Sequence, residues 1–238
     1  MNLDRETDVI NLYDSATIQV IEFWGSDERI VEAARMSVDK GFAGWGNEEN
    51  PGDEKLLQFL YANRHDSPFE MGGAIVEVQA PIMVFREWHR HRTQSYNEMS
   101  GRYTALPDFC YVPSVERMMI NADGSNRQAN RIAGAPALTV EHAKIWQERL
   151  RDVHAHAQRI YQMGLDFGVP KELARLPVTV SRYSRMRASA CLRNWLLFIT
   201  LRSAPNAQWE IRQFSNKMIE LLALRFPRTL EFFKVYPR

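Results

Sequence analysis

The stretch Arg90-His91-Arg92-Thr93-Gln94-Ser95-Tyr96-Asn97-Glu98-Met99-Ser100-Gly101-Arg102-Tyr103 is the most informative in the chain. Three contiguous cationic or proton-exchanging side chains precede hydroxyls, an amide and a carboxylate, and the run closes on a further arginine, Arg102. Guanidinium groups grip phosphate through a planar fork. Ser95, Asn97, Glu98 and Ser100 offer the short polar contacts that fix a sugar or a base. The stretch therefore has the parts to hold a phosphate, orient a ribose and meet a planar heterocycle together. A solvated charged loop is the plain alternative, but simple charge runs lack this interleaving of serine, asparagine and tyrosine.

Outward from this stretch, the chain as a whole is nearly neutral. Of 238 residues, 30 are Lys or Arg and 29 are Asp or Glu, giving a formal net charge of +1. That balance argues against bulk attraction to nucleic acid, so any basic site is local. Two stretches qualify: Arg86, Arg90, Arg92 and Arg102, then Arg182, Arg185, Arg187, Arg193 and Arg202. The expected organisation is one domain over residues 1–238, and a domain of this size buries roughly 70–75% of its unfolded surface without staples. Cys110 and Cys191 are too few for a disulfide framework. The polar start, Met-Asn-Leu-Asp-Arg-Glu, lacks the chemistry of a signal peptide. The apolar run Trp195–Leu201 falls far short of the ~20 residues of a membrane span. A cytoplasmic setting without membrane or nucleic-acid partners is expected.

Local patterns predict a helix-rich α+β fold with a small, mostly antiparallel sheet. Strands are expected at Ile18–Phe23, Ala74–Val78 and Val178–Tyr183. Ser26 is placed to cap a helix reaching Met36, and a second helix spans Glu54–Asn63. Between them, the Gly- and Asn-rich segment Gly41–Pro51 is a loop carrying Trp45. Pro81 opens a helix that delivers Arg86 to Arg90 at its far end. Thr139 caps a long helix reaching Phe167, broken at Gly168-Val169-Pro170. Helices also cover Cys191–Arg202 and Asn206–Phe226, where Ile211, Phe214, Met218 and Leu221 form one apolar stripe. Residues 113–137, rich in Asn, Gly and Ala, are expected to form a surface excursion.

The motif Arg90-His91-Arg92, seven residues, then Ser100 is similar to the signature of the flavin-dependent thymidylate synthases. Ser95, Asn97, Glu98, Arg102 and Tyr103 match the longer form of that signature. Upstream, His65-Asp66-Ser67-Pro68-Phe69-Glu70 resembles the family's His-x-x-Pro-Phe-Glu element; a helix end stopped by Pro68 explains only the proline. Downstream, Glu172-Leu173-Ala174-Arg175 and the block Leu201-Arg202 through Ala207-Gln208-Trp209-Glu210-Ile211-Arg212 resemble two further family elements. The resemblance spans His65 to Arg212 in separated blocks, with weaker similarity from Ile21 to Gly46.

The resemblance implies reductive C5-methylation of a uridine 5'-monophosphate, dUMP by default and UMP as a contender. Methylenetetrahydrofolate would donate the carbon, FAD would carry hydride, and NADPH would regenerate the flavin. It further implies Arg202 as the catalytic cation that stabilises negative charge on the uracil edge without a cysteine adduct. For Arg202 alone, a helix C-terminal cation complementing the dipole is the competing explanation. His65, Ser67, Arg90, His91, Arg92, Glu98, Cys191, Arg193, Leu197 and Asn206 fall on cofactor-binding positions. Glu87, Arg90, Glu98, Ser100, Gly101, Arg102, Arg175 and Arg202 fall on nucleotide-binding positions, with Arg102 on phosphate. Family members are homotetramers whose sites are shared between subunits, and no metal is implied.

The chain departs from the family at several of these positions. Glu87 stands for a usual Gln, Cys191 and Leu197 for Asn, Asn206 for His, and Met71 for the His that normally follows Pro-Phe-Glu. An ionised carboxylate accepts but does not donate, so nucleotide contacts at Glu87 must differ. Other chemistries find less support. His89 and His91 have no Cys or carboxylate at zinc spacing, His154 and His156 point to different faces of their helix, and no Gly-rich phosphate loop occurs. Cys110 and Cys191 are candidate nucleophiles, Cys191 with a helix start to lower its pKa, although buried inert cysteine is commoner. A non-catalytic nucleotide- or RNA-binding module, or a folate- or flavin-dependent RNA uridine methyltransferase, uses the same arginines.

Overall fold

The computed structural model describes residues 7–47, 49, 51–120 and 134–236. At its centre is a five-stranded sheet in which every neighbouring pair is antiparallel. The strands β1 (Ile10–Tyr13), β2 (Ala16–Trp24), β3 (Gly73–Pro81), β4 (Ser95–Glu98) and β5 (Tyr183–Cys191) lie in the order β1-β2-β3-β5-β4. The described helices are α1 (Asp27–Arg35), α2 (Gly52–Ala62), α3 (Ile82–Trp88), α4 (Val115–Met119), α5 (Val140–Asp166), α6 (Lys171–Ala174), α7 (Leu192–Arg202), α8 (Trp209–Ala223) and α9 (Pro227–Val235). The helix-rich α+β expectation holds. No described helix is long and apolar enough to cross a membrane.

The sheet has two unlike faces because side chains alternate along each strand. In β3, Ala74, Val76, Val78 and Ala80 are fully buried, whereas Ile75, Glu77 and Gln79 take the other face. In β5, Met186, Ala188 and Ala190 point inward while Arg185 and Arg187 are exposed. The inward residues share one core with Trp195, Leu196, Phe198 and Ile199 of α7 and Ile211, Phe214 and Met218 of α8. The apolar stripe expected on α8 is thus core. On the open face Glu77 meets Arg187 at 2.9 Å and Arg185 at 3.8 Å.

Helix starts follow their side chains. Ser26 Oγ accepts the Arg29 N–H at 3.4 Å, and Thr139 Oγ1 accepts the His142 N–H at 3.1 Å. The long helix α5 stops where Gly168 takes a φ of +79°, a left-handed turn that favours glycine.

The strand expected over Val178–Tyr183 is displaced: Tyr183 is where β5 begins, and the strand runs on to Cys191. Its Ser-Arg-Met-Arg-Ala-Ser-Ala sequence has no β-branched residue, so pairing to β3 on one side and β4 on the other overrides weak propensity. The segment before it serves α3 instead, with Val180 and Arg182 carbonyls accepting the Met83 and Ile82 N–H groups at 2.8 and 2.9 Å. The excursion expected at 113–137 opens as the short helix α4, capped by Ser114 Oγ on the Arg117 N–H at 3.1 Å. Residues 121–133 of that segment lie outside the described residues.

Candidate active site

Three elements meet beneath the arginine-rich loop. At the end of β3, Pro81 sits at φ −59° and ψ 142° and turns the chain into α3. Trp88, fully buried, stacks on Phe198 of α7 at 4.7 Å and donates its indole N–H to Gln94 Oε1 at 3.0 Å. The Tyr96 hydroxyl donates to the His91 carbonyl at 2.6 Å, with the Trp88 carbonyl 3.1 Å away. The loop between α3 and β4 is therefore anchored by a core tryptophan and an edge-strand tyrosine. Preorganisation of this kind fixes the side chains that the loop presents.

The loop presents its three residues differently. Arg90 and Arg92 are exposed, whereas His91 is 7% exposed and turned toward α7. There His91 Nε2 accepts the Nε–H of Arg202 at 2.8 Å. Arg202 also donates to Glu87 Oε2 at 2.6 Å and to the Glu87 carbonyl at 2.9 Å. As the last residue of α7, Arg202 sits where a helix dipole favours a cation, but these side-chain contacts show a more specific setting. Burial, then the Arg202 charge, push the His91 pKa down to about 4, so its ring is neutral and an acceptor near pH 7.

A second cluster lies on the neighbouring side of α3. A cleft of about 440 Å³ is lined by Phe85, Arg86, His89, Glu98, Ser100, Gly101 and Arg175 among others. Four residues singled out from sequence, Glu98, Ser100, Gly101 and Arg175, therefore meet here. A Cβ on the buried Gly101 would stand 3.3 Å from Arg175 Cδ and 3.3 Å from Leu106, so glycine permits the close seating of that arginine. Arg102 is exposed, its N–H on Ser100 Oγ at 3.2 Å and its guanidinium 2.9 Å from Glu172. Arg86 and His89 were not singled out as site residues. Their signal was the three-residue spacing that puts both on one helix side.

Of the expected cofactor residues, Arg193 and Leu197 lie on α7, Cys191 is its N-cap residue, and Ser67 lies on the tight turn Ser67–Glu70, which His65 precedes. His65 and Ser67 are exposed, and the His65 ring meets Phe59 edge-on at 5.5 Å. Arg193 is paired with Glu70, whose carboxylate raises the arginine's pKa further. One helical turn on, Leu197 is 49% exposed. Asn206 lies exposed between α7 and α8. An exposed set of cations, a turn hydroxyl, an imidazole and an uncovered leucine fits a large anionic cofactor with a flat apolar ring.

Other sequence candidates are not brought into these clusters. Arg182 is 1% exposed and serves the fold, donating to the Pro107 carbonyl at 2.7 Å and Gln158 Oε1 at 2.7 Å. Burial raises the pKa of both Cys110 and Cys191, so the helix start at Cys191 does not yield a low-pKa thiol. His154 is buried and His156 exposed, on different faces as expected. A larger, mainly apolar cavity of about 910 Å³, lined by Met83, Trp146, Leu150 and His154 among others, takes none of the expected site residues.

Exposed arginines on the α3–β4 loop, a neutral buried histidine and a polar cleft beside α3 have the chemistry to handle an anionic, nucleotide-like ligand. The family profile described as "Thymidylate synthase complementing protein" matches residues 19–228. A flavin-dependent thymidylate synthase from Anaplasma marginale is 34% identical over 227 residues, 95% of this chain and 75% of that protein. One from Thermus thermophilus is 36% identical over 218 residues, 92% of this chain and 75% of that protein. The crystal structure of the UMP/dUMP methylase PolB from Streptomyces cacaoi, bound with 5-Br UMP, superposes with a TM-score of 0.78 at 30% identity, covering 95% of this chain and 97% of that one. The chain belongs to the flavin-dependent thymidylate synthase family.

Proposed function

We propose that this enzyme methylates C5 of the uracil in dUMP, and that Arg202 is the residue that makes the base reactive. The observation that carries this reading is the Arg202 environment, with Nε held by His91 at 2.8 Å and the fork held by Glu87. A guanidinium is always charged. Fixed in this way, it meets negative charge developing on the N3–O4 edge without reorganising. His91 orients Arg202 and leaves it as the donor. Ser100, Gly101, Arg102 and Arg175 take the sugar phosphate, with Glu98 beside them.

His65, Ser67, Arg90, Arg92, Arg193, Leu197 and Asn206 are the residues suited to hold FAD, which supplies hydride when bound. NADPH is the reductant and methylenetetrahydrofolate the carbon donor, as in the family. UMP is a second substrate on this reading, supported by the likeness over 95% of the chain to a methylase named for both nucleotides.

A homotetramer with shared sites suits the distribution of these residues. Arg202 is held by His91 and Glu87, while Glu98, Ser100, Gly101 and Arg175 line a cleft on α3, and a neighbouring subunit would complete either set. Trp146, Val153, Ile160 and Phe167 are exposed at seven-residue intervals along and at the end of α5, a spacing that lines one helix face for another helix.

The test is anaerobic turnover of the flavin-loaded protein with dUMP or UMP, methylenetetrahydrofolate and NADPH. Formation of dTMP together with tetrahydrofolate is expected, and a mass of four chains by light scattering. Product from neither nucleotide would reject the assignment.

A further inference from the structure

We infer that Glu87 is a positioning residue with a second effect: it holds Arg202 in place while its charge restrains the cation's pull on the base. This rests on the reading of Arg202 given under the proposed function. Arg202 has five N–H groups. One meets His91 Nε2 at 2.8 Å, one Glu87 Oε2 at 2.6 Å and one the Glu87 carbonyl at 2.9 Å. Two of the three contacts therefore come from one residue, through its backbone and its side chain. Position and charge are separable here, because a neutral amide oxygen can accept the same Nη1–H that the carboxylate accepts.

The electrostatics set the direction. The Arg202 side chain is 16% exposed and that of Glu87 39%, so the pair sits where solvent screens it incompletely. A carboxylate in direct contact offsets much of the guanidinium field at any third group nearby. Neutral uracil in the ground state feels this little. The anionic character that C5 activation places on N3 and O4 feels it fully. Relief of the counter-charge therefore acts on the chemical step more than on binding of the neutral base.

The experiment uses two substitutions and two readouts. In anaerobic single turnovers of the reduced, flavin-loaded protein, Glu87→Gln should speed dTMP formation on the order of tenfold, with dUMP affinity within about threefold. Glu87→Ala, which lacks the side-chain acceptor, should be slower than Glu87→Gln by a similar factor, since a loosened guanidinium loses its preorganisation. The second readout needs neither flavin nor turnover. Bromine acidifies the N3–H of 5-bromo-dUMP, so raising pH from about 6.5 to about 9 converts the probe to its base anion.

Over that range Glu87→Gln should gain affinity for the probe relative to the unsubstituted protein, on the order of tenfold. The other titratable groups facing Arg202 do not intervene. His91 titrates at about 4, and burial holds Tyr96 at about 12. A Glu87→Gln protein that is slower than the unsubstituted one, or an affinity ratio that stays flat with pH, would overturn the inference alone. Equal rates for the Gln and Ala variants would overturn its positioning half. No product from the unsubstituted, flavin-loaded protein would remove the reading beneath it.

Discussion

Arg202 Nε lies 2.8 Å from His91 Nε2, a contact that fixes His91 as the neutral acceptor of a permanently charged donor. The His91 pKa of about 4 in the folded protein lies below the 6.5 of an unperturbed histidine. Between those values the unfolded chain takes up a proton that the folded one refuses. Stability from this group is therefore whole above pH 6.5 and is lost as pH falls toward about 4. Urea unfolding should show roughly 2 kcal/mol less stability near pH 5 than near pH 7.5 from this group. His91→Gln should remove that part of the pH dependence. An identical pH profile in the variant would show that the histidine does not titrate as its setting requires.

Removing the guanidinium tests the chemistry directly. Arg202→Ala should lower single-turnover methylation by about 10²–10³, the usual cost of deleting one fixed charge stabiliser. Flavin absorbance near ~450 nm should remain, because the residues proposed for the cofactor, on the Ser67–Glu70 turn and at Arg193, are untouched. Rapid product formation by this variant would remove Arg202 from its role.

Tyr96 is the hinge between fold and site. Its hydroxyl donates to the His91 carbonyl at 2.6 Å from an edge strand whose ring packs inward. Tyr96→Phe keeps the ring and leaves that carbonyl without its donor, which should cost about 1–2 kcal/mol in denaturant unfolding. The same change should reduce turnover, because the His91 support of Arg202 loosens. A variant with unaltered stability and rate would show the hydroxyl to be dispensable.

How far the sequence carried the fold depends on where pattern and packing agree. The stripe Ile211, Phe214, Met218 was readable because its period matches a helix with one buried face. The caps Ser26 and Thr139 were readable from chemistry alone. Strand β5 was not, since small and charged residues carry no strand signal until β3 and β4 flank them. The edge strands β1 and β4 were missed because four residues each are too short a run to carry a period-two signal. In the candidate site, the motif named the residues to examine but not how the fold divides them. That His91 turns inward while Arg90 and Arg92 face out depends on Trp88 and Tyr96, which pin the loop through contacts no spacing reveals.

Arg193 and Glu70 join α7 to the Ser67 turn across 123 residues of chain. Both side chains are largely exposed, so the pair adds little to folding. Its effect should appear in the cofactor. Arg193→Ala should leave the melting temperature of the flavin-free protein within a degree or two, while flavin retained through gel filtration falls several-fold. Full flavin content in this variant would remove Arg193 from the cofactor site.

Gly101 offers the sharpest test of the nucleotide cleft. It is buried between Leu106 and the Arg175 side chain, and an added Cβ would stand 3.3 Å from both. That separation is tight rather than impossible, and Arg175 is an exposed, flexible side chain able to give way. Gly101→Ala should therefore fold, with Arg175 displaced by a few tenths of an ångström. On the proposed assignment that guanidinium holds the nucleotide before and during reaction alike, so the change should fall on KM. A rise of about tenfold in the KM for dUMP is expected, with kcat within about twofold. Arg175→Ala should raise KM as well. The double variant should be no worse than Arg175→Ala alone, because, of the two side chains the added Cβ meets, Arg175 and Leu106, only the arginine is assigned to the nucleotide. Additive losses would mean that Gly101 serves the cleft by some other contact.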